Sequence, residues 1–513
     1  MKPNAPPIHP AAGHRWLVLA IVSVALLLIV IDMTVLYTAL PRLTHDLAAT
    51  AAEKLWIVNA YPLVVAGLLP GAGTLGDRVG HKRLFLIGLV VFGVASACAA
   101  YAPSPALLIA ARALLAVGAA LMMPATLSII RHTFEDDAER SFAIGVWAAV
   151  ASGGAALGPV VGGVLLEYFW WGSVFLINVP IVLLALPLAW WLIPARPGDA
   201  RRAWDAVASL QIMAGLIALA YAIKALGQRG TAWVEVTLAV ALGVGFMCLF
   251  LRRQRRAVAP LIDFALFRNR RFSAGVAAAI VAAVALIGME LVFAQRLQLV
   301  AGLSPLQAAW LILPIPLAAF VAAPLAGLAL RWVDAGRLMA LALAVAAIGT
   351  LGLLLSFDGA LPLLIASLTV IGLGLGATMT GASSTILLNA PPERAGMAAS
   401  IEEVSYELGA AIGVALLGSI LSAVYAVSLR LPVGLEVSDR AHDSLDEALL
   451  AAETLAPEMA TTLTMLARTA FDEAFVIVLA VVTALLGIAA AAILLTGRGS
   501  GGAVECAAEV PRC

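Results

Sequence analysis

Apolar runs of about twenty residues recur along this chain, and that recurrence limits its fold more than any other feature. A helix needs roughly 20 mostly apolar residues to cross the hydrocarbon core of a bilayer. Within that core only helices and closed barrels satisfy their own backbone hydrogen bonds. Fourteen runs have the required length: 16–38, 56–76, 84–101, 106–129, 142–165, 172–193, 206–226, 233–252, 272–294, 307–330, 337–356, 361–383, 402–427 and 474–496. Composition agrees, since 63% of the 513 residues are hydrophobic, 12% are charged and the mean hydropathy is +1.02. An ordinary soluble domain has about 45–50% apolar and about 25% charged residues. An all-α integral membrane protein is expected, with the lipid bilayer around most of its surface. The first run is long and lacks a cleavage site of small residues, so it is expected to remain as the first span.

Charge sets the orientation. With the N-terminus in the cytoplasm, the inner loops and tails hold 22 Lys and Arg residues and the outer loops hold 7, with Arg112 and Lys224 inside spans. Cytoplasmic loops carry the excess of Lys and Arg, so an even number of spans with both termini inside is expected. Most connections are short, which makes neighbouring helices antiparallel. Two are not. Residues 252–271, "RRQRRAVAPLIDFALFRNRR", form a basic cytoplasmic link that can lie on anionic headgroups. Residues 428–473 form a long acidic outer loop, whose helical periodicity on either side of Pro457 predicts two short amphipathic helices. The tail 497–513 is expected to be flexible.

Several function classes are excluded. A formal net charge of zero argues against a nucleic-acid partner. Cys98, Cys248, Cys506 and Cys513 have no metal spacing, nor does any pair among the six histidines, so no metal site is expected. No G-x-x-x-x-G-K-[ST] loop is present, so ATP is not the expected energy source. No nucleophile–base constellation suggests an enzyme.

The stretch "GTLGDRVGHKR", Gly73 to Arg83, joins the second and third spans. Its glycines allow a tight turn and close helix ends. The spacing G-x-L-x-D-R-x-G-x-K-R resembles the signature loop of the major facilitator superfamily, with His81 where a basic residue is usual. The resemblance implies a gating latch on the cytoplasmic side, carried by Gly73, Asp77, Arg78, Gly80, Lys82 and Arg83. In the fifth span, Gly153, Gly154, Gly158, Gly162 and Gly163 allow backbone-to-backbone packing, and Pro159 removes one helical hydrogen bond. "GPVVGG" resembles the antiporter motif of the same superfamily, built here from Gly154, Gly158, Pro159, Gly162 and Gly163, and points to export.

Intramembrane charges come next, because each is a functional hypothesis by default. Asp32, in "IDMTVLYTALP", lies in the outer half of the first span, and Arg112 enters the fourth span from outside at a matching depth. The pair is either a structural ion pair or part of a proton relay. The D-x-T-x-x-x-x-A-L-P pattern, the fourth-span Arg, "LWIVNAYPLV" and "FLINVP" resemble motifs of the fourteen-span drug:proton antiporters, over nearly the whole chain to about residue 427.

The thirteenth run opens "SIEEVSYELGAAIGVALLGSI", with three acids where hydrocarbon would reject them. Glu403 and Glu407 are four apart, on one helical face, and Glu402 is turned about 100° away. They read as N-terminal charges on a helix dipole, as salt-bridge partners for which no embedded cation is near in sequence, or as the lining of a wet cavity. A carboxylate deprived of water favours its neutral form, and two in one site trade protons against a cation. E-E-V-S-Y-E-L-G resembles the acidic cluster of the QacA/SmvA/EmrB-like quaternary-ammonium efflux pumps. The resemblance implies proton or cation coupling by Asp32, Glu407, Glu403 and Glu402, and a substrate cavity including Asn59, Trp56, Tyr61 and Tyr406. Tyr406 can offer an aromatic face to a quaternary ammonium. Glu290, in the ninth span, is either a further cation or proton site or a partner of Arg296. Two positions depart from the family pattern: Asn59 stands where an acid is frequent, and the tenth span has no acid. Both narrow the expected range of divalent cations.

The expected architecture is a major facilitator fold. Residues 1–193 would form one six-helix bundle, 194–252 two additional helices, 253–271 the basic linker and 272–496 the second bundle. The expected activity is proton-driven export of lipophilic cations such as quaternary ammonium compounds, dyes and biguanides, by alternating access. No cofactor is expected, the proton gradient being the energy source. A monomer is expected, and a periplasmic adaptor is left open as a partner. Export of a neutral or anionic metabolite or antibiotic, and a non-transporting sensor or scaffold, are the alternatives.

Overall fold

A computed structural model describes residues 12–199, 204–226, 233–257, 260–330, 332–391, 395–431 and 439–497. These residues are helical, with no strand among them. The long helices are α1 (Ala12–Asp46), α2 (Ala51–Val79), α3 (His81–Ala100), α4 (Pro105–Thr133), α5 (Asp137–Tyr168) and α6 (Ser173–Leu192, interrupted at Ile177). They continue with α7 (Ala206–Leu226), α8 (Trp233–Arg256), α9 (Arg270–Gln295), α10 (Pro305–Ala329, interrupted at Leu313) and α11 (Ala335–Ser356). The last are α12 (Leu361–Leu388), α13 (Ala395–Ser428) and α14 (Pro457–Gly497). Thirteen helices among the described residues are long and apolar enough to cross a membrane. The remaining expected span, 142–165, falls within α5, whose stretch Leu157–Tyr168 is a shorter apolar helix among the described residues.

Helix starts follow from local chemistry. Thr50 and Glu53 close a capping box on α2, and Ser304 and Gln307 another on α10. Each satisfies two backbone donors that the first turn leaves without partners. Pro105 and Pro305 follow their caps directly, at positions where the missing N–H costs nothing.

Helix pairing repeats with an offset of eight. In the first half α1 packs on α5, α2 on α4, and α3 on α4 and α6; in the second α9 packs on α13, α10 on α12, and α11 on α12 and α14. Two apolar cores result, one within α1–α6 and one within α9–α14. The halves meet crosswise, α2 against α13 and α5 against α10. The pair α7–α8 stands outside the repeat, with α7 seated on α2 and α13. This is the architecture of the major facilitator fold, with α7 and α8 as the additional pair.

Three boundaries differ from expectation. α13 starts at Ala395 instead of 402: the small and apolar residues 395–401, AGMAASI, join the helix ahead of the acids. Among its described residues the outer loop contains one separate α-helix, Leu445–Ala452, preceded by a 3-10 turn Asp439–His442, instead of two amphipathic helices. The helix expected after Pro457 is continuous with the last span, making α14 a single run of 41 residues. The basic linker is also partly packed: Gln254 accepts from the Leu261 and Ile262 amides at 2.7 and 3.4 Å. Leu261, Ile262 and Leu266 are buried with Phe272 and Ile401, while Arg252, Arg253, Arg255 and Arg256 stay exposed. Cys98 and Cys248 are exposed thiols; Cys506, Cys513 and the tail beyond Gly497 lie outside the described residues.

Candidate functional site

Asp32 of α1 is completely buried, and Arg112 of α4 is 2% exposed. Arg112 Nη1 donates to Asp32 Oδ2 at 2.6 Å, and Nε donates to the Ile57 carbonyl at 3.4 Å. The second carboxylate oxygen, Oδ1, accepts from Asn178 Nδ2 at 3.1 Å. The guanidinium also lies over the Tyr61 ring at 4.7 Å and the Phe175 ring at 6.0 Å. Charge can be buried here because it is paired and hydrogen-bonded. The depth argument from sequence thus places this pair correctly.

The acids of α13 approach the same region from the other half. Because α13 begins at Ala395, Glu402 and Glu403 lie about two turns inside it. The helix-dipole reading fails there, since that effect fades within the first turn. Glu407 is 4% exposed, and its Oε2 has no hydrogen-bond partner among the described residues. The fields of Glu403 and Arg112 both act on Glu407. The embedded cation whose field reaches Glu407 is Arg112, on a helix of the opposite half, although its ion pair is with Asp32. Tyr61 feels Asp32, Glu407 and Arg112 together. The Tyr406 hydroxyl lies 3.4 Å from Glu402 Oε1 and from the Met379 carbonyl, so its edge is turned to that acid.

Glu290 of α9 is 8% exposed. Its suggested partner Arg296 is engaged elsewhere: Nε donates to Asp472 at 2.8 Å, Nη2 donates to Asp358, and the rings of Phe357 and Phe475 cover the guanidinium. Tyr37 of α1, which sequence reading passed over, is 5% exposed and lies in the fields of Glu290, Arg112 and Glu407. The only sequence signal was its place one turn beyond Asp32. Asn59 is buried, and its Oδ1 has no partner among the described residues. Trp56 departs from expectation: it packs against Tyr221 of α7, ring centroids 6.5 Å apart, in the apolar cluster that α7 completes.

At the outer end, the short helix Leu445–Ala452 docks on the first half. Lys54 of α2 pairs with Asp446, both nearly buried, and Glu447 Oε1 accepts from the Ala51 amide at 2.9 Å. Burial pushes the Glu447 carboxyl up from its ordinary range, against the lowering effect of that amide. The loop belongs to the second half, so these bonds tie the halves together outside the membrane.

At the inner end, the signature loop is braced by the end of α6 and the segment that follows it. Asp199 N donates to the Asp77 carbonyl at 2.9 Å, and Lys82 Nζ donates to the Trp190 carbonyl at 2.6 Å. His81 Nε2 lies 3.2 Å from Asp77 Oδ1. Arg78 and Arg83 flank this turn, and Gly73 meets only Pro124 of α4, at 3.9 Å from a Cβ position. Gly80 has φ +94°, and a Cβ there would come 2.8 Å from the Arg196 carbonyl. Gly80→Ala is expected to cost about 1–3 kcal/mol, read as a lower unfolding midpoint in detergent; an unchanged midpoint would show that the turn relaxes.

Four of the five α5 glycines pack closely as their spacing suggests, whereas a Cβ on Gly153 would meet nothing within 4 Å. Gly154 meets Leu27 and Val30 of α1, Gly158 meets Thr34, and Gly162 meets Val35. Gly163 faces the other half, its Cβ position 2.7 Å from Leu306 Cα of α10. Pro159 lies among them inside the helix. One ridge thus seats α1, the helix carrying Asp32, and reaches the opposing half.

Known proteins resemble this chain in sequence and in fold. The family model described as Major Facilitator Superfamily matches residues 22–414. The methyl viologen resistance protein SmvA of Salmonella typhimurium (strain LT2) is 40% identical over 467 residues, covering 89% of this chain and 93% of that protein. The multidrug efflux pump LfrA of Mycolicibacterium smegmatis is 40% identical over 484 residues, covering 94% and 96%. A solved bacterial homologue of the human lysosomal transporter Spinster, inward-facing and unoccupied, superposes with a TM-score of 0.65 at 17% identity, covering 95% and 99%.

Proposed function

The chain belongs to the major facilitator superfamily, among its multidrug efflux pumps, and from that membership we propose that it exchanges protons for lipophilic cations. It is a transporter and not an enzyme, a multi-pass protein of the bacterial cytoplasmic membrane. The observation that carries the proposal is Glu407, a buried carboxylate without a partner on Oε2 among the described residues, in the field of Arg112 across the interface between halves. The name of one relative, the methyl viologen resistance protein SmvA, favours this substrate class, since methyl viologen is a quaternary dication.

Arg112 is a shared counter-charge in this scheme. While Asp32 is ionised, it neutralises Arg112, and Glu407 can hold a cation. A proton arriving on Asp32 leaves the guanidinium uncompensated, and its charge then opposes a cation at Glu407. Loss of the proton to the cytoplasm restores the pair and the cation site. Glu403, Glu402 and Glu290 widen the acidic region, and Tyr61, Asn59 and Tyr406 supply its polar and aromatic lining. Tilting of the halves about the midplane gives each side access in turn.

The test is reconstitution in liposomes that enclose a pH dye, followed by addition of quaternary ammonium compounds, ethidium and chlorhexidine. Proton movement that depends on the cation, and is lost in Asp32→Asn, is expected. Folded protein that moves no protons with any of these cations would redirect the assignment to neutral or anionic substrates.

A further inference from the structure

Asp32 is held by more than its arginine. The segment "FLINVP" forms the break in α6: a short turn Ser173–Leu176, then Ile177, then the helix from Asn178. Phe175 and Asn178 are three residues apart, so they share a helical face. Phe175 lies against the Arg112 guanidinium, and Asn178 donates to Asp32. One short segment therefore grips both members of the buried pair. Asn178 is completely buried, and its Nδ2 donates a second bond to Ser96 Oγ of α3, at 3.2 Å. Its own Oδ1 is buried and has no partner among the described residues.

We propose that Asn178 is the positioning residue that lets Asp32 take up and give back its proton. The inference rests on the reading of Asp32 as a proton site given above. With Asp32 ionised, both carboxylate oxygens are occupied by donors, Arg112 on Oδ2 and Asn178 on Oδ1. A proton bound at Oδ1 turns that atom into a donor and would face the Asn178 N–H. An amide carries donors on one side and an acceptor on the other. A half-turn of the side chain brings Oδ1 of Asn178 to the new O–H, and Ser96, a hydroxyl, can switch from accepting to donating. The half-turn exchanges one unpartnered buried atom for another, so it costs little in itself. No bond besides the O–H forms or breaks, and the proton leaves by the reverse motion.

The groups facing Asp32 are few. They are Arg112 from α4, Asn178 from α6, Ser96 beyond it on α3, and the field of Asp32 on Tyr61 of α2. Glu407 of α13 and Glu290 of α9 act on the same region through Arg112 and Tyr37. From α5, Gly154, Gly158 and Gly162 lie against this stretch of α1.

The experiment is the pH profile of ethidium/proton exchange in liposomes, for the wild type, Asn178→Leu, Asn178→Ser and Asp32→Asn. Asn178→Ser replaces the amide by a shorter hydroxyl that keeps the site polar while withdrawing the Nδ2 donor from Asp32, and serves if the leucine variant does not fold. A bond to the ionised carboxylate is stronger than one to its neutral form. Loss of Asn178 is therefore expected to move the midpoint of exchange to higher pH by about one unit, with about tenfold slower turnover. A profile in both Asn178 variants that keeps the wild-type midpoint and only falls in amplitude would overturn the proposal and leave Asn178 as packing. Retention of pH-dependent exchange in Asp32→Asn would instead remove the reading of Asp32 itself, whatever Asn178 does.

Discussion

Glu407→Gln is expected to abolish cation/proton exchange, by at least about 100-fold. Glutamine keeps the size of the side chain and removes the charge, so the helix packing of α13 should survive. What disappears is the carboxylate that has no hydrogen-bond partner on Oε2 among the described residues and lies within the field of the Arg112 guanidinium of the opposite half. A site for a lipophilic cation loses its charge complement in a water-poor setting, where a charge pair is worth far more than in water. A hundredfold loss corresponds to roughly 2.7 kcal/mol. The measurement is initial proton flux on addition of ethidium, with cation binding followed separately by fluorescence. Wild-type flux in Glu407→Gln would separate the acid from the transport cycle and favour a neutral substrate.

Arg112→Met is expected to have the largest effect on stability. Removing one member of a buried pair leaves the other charged and unsatisfied, a cost of about 3–5 kcal/mol. Asp32 retains only Asn178 as a donor in that variant. Combining Arg112→Met with Asp32→Asn should recover most of the loss, because no charge is then stranded. Such non-additivity is what contacting residues produce. Unfolding in mixed detergent micelles reads both variants. If Arg112→Met unfolds with the wild-type midpoint, or the double variant is no better than the single, the pair is not the element holding α1 to α4.

How much of this was legible without coordinates depends on the range of the interaction. Spans are local, and the hydrocarbon core demands about twenty apolar residues whatever their partners, so the helices follow directly from the runs. Asp32 and Arg112 could be joined because depth in a bilayer is a coordinate that sequence supplies. The start of α13 was hidden because the acids at 402 and 403 look like the edge of an apolar run, while the helix itself runs back through 395–401. The partners of Arg296, Asp358 and Asp472, lie 62 and 176 residues away, whereas Glu290 was merely near in sequence. Trp56 was misplaced for the same reason: nothing in "LWIVNAYPLV" shows that α7 returns to cover that face of α2. The field of Arg112 on Glu407 crosses between halves, and only the fold brings those helices together.

The last helix has a mechanical consequence. At about 1.5 Å per residue, 41 residues of α14 make a rod about 60 Å long, roughly twice the hydrocarbon thickness. It begins beside the docked segment Leu445–Ala452 on the outer surface and runs to the cytoplasmic face. A flexible tether there would give slack, and the bonds of Lys54 and Ala51 to the outer segment could persist while the halves tilted. A continuous helix joined to the segment through only the short turn 453–456 gives little. Any rotation of the second bundle is delivered at the outer surface as displacement of the docked segment, with the stiffness of a lever arm. Opening the outer mouth and breaking those bonds thereby become one movement.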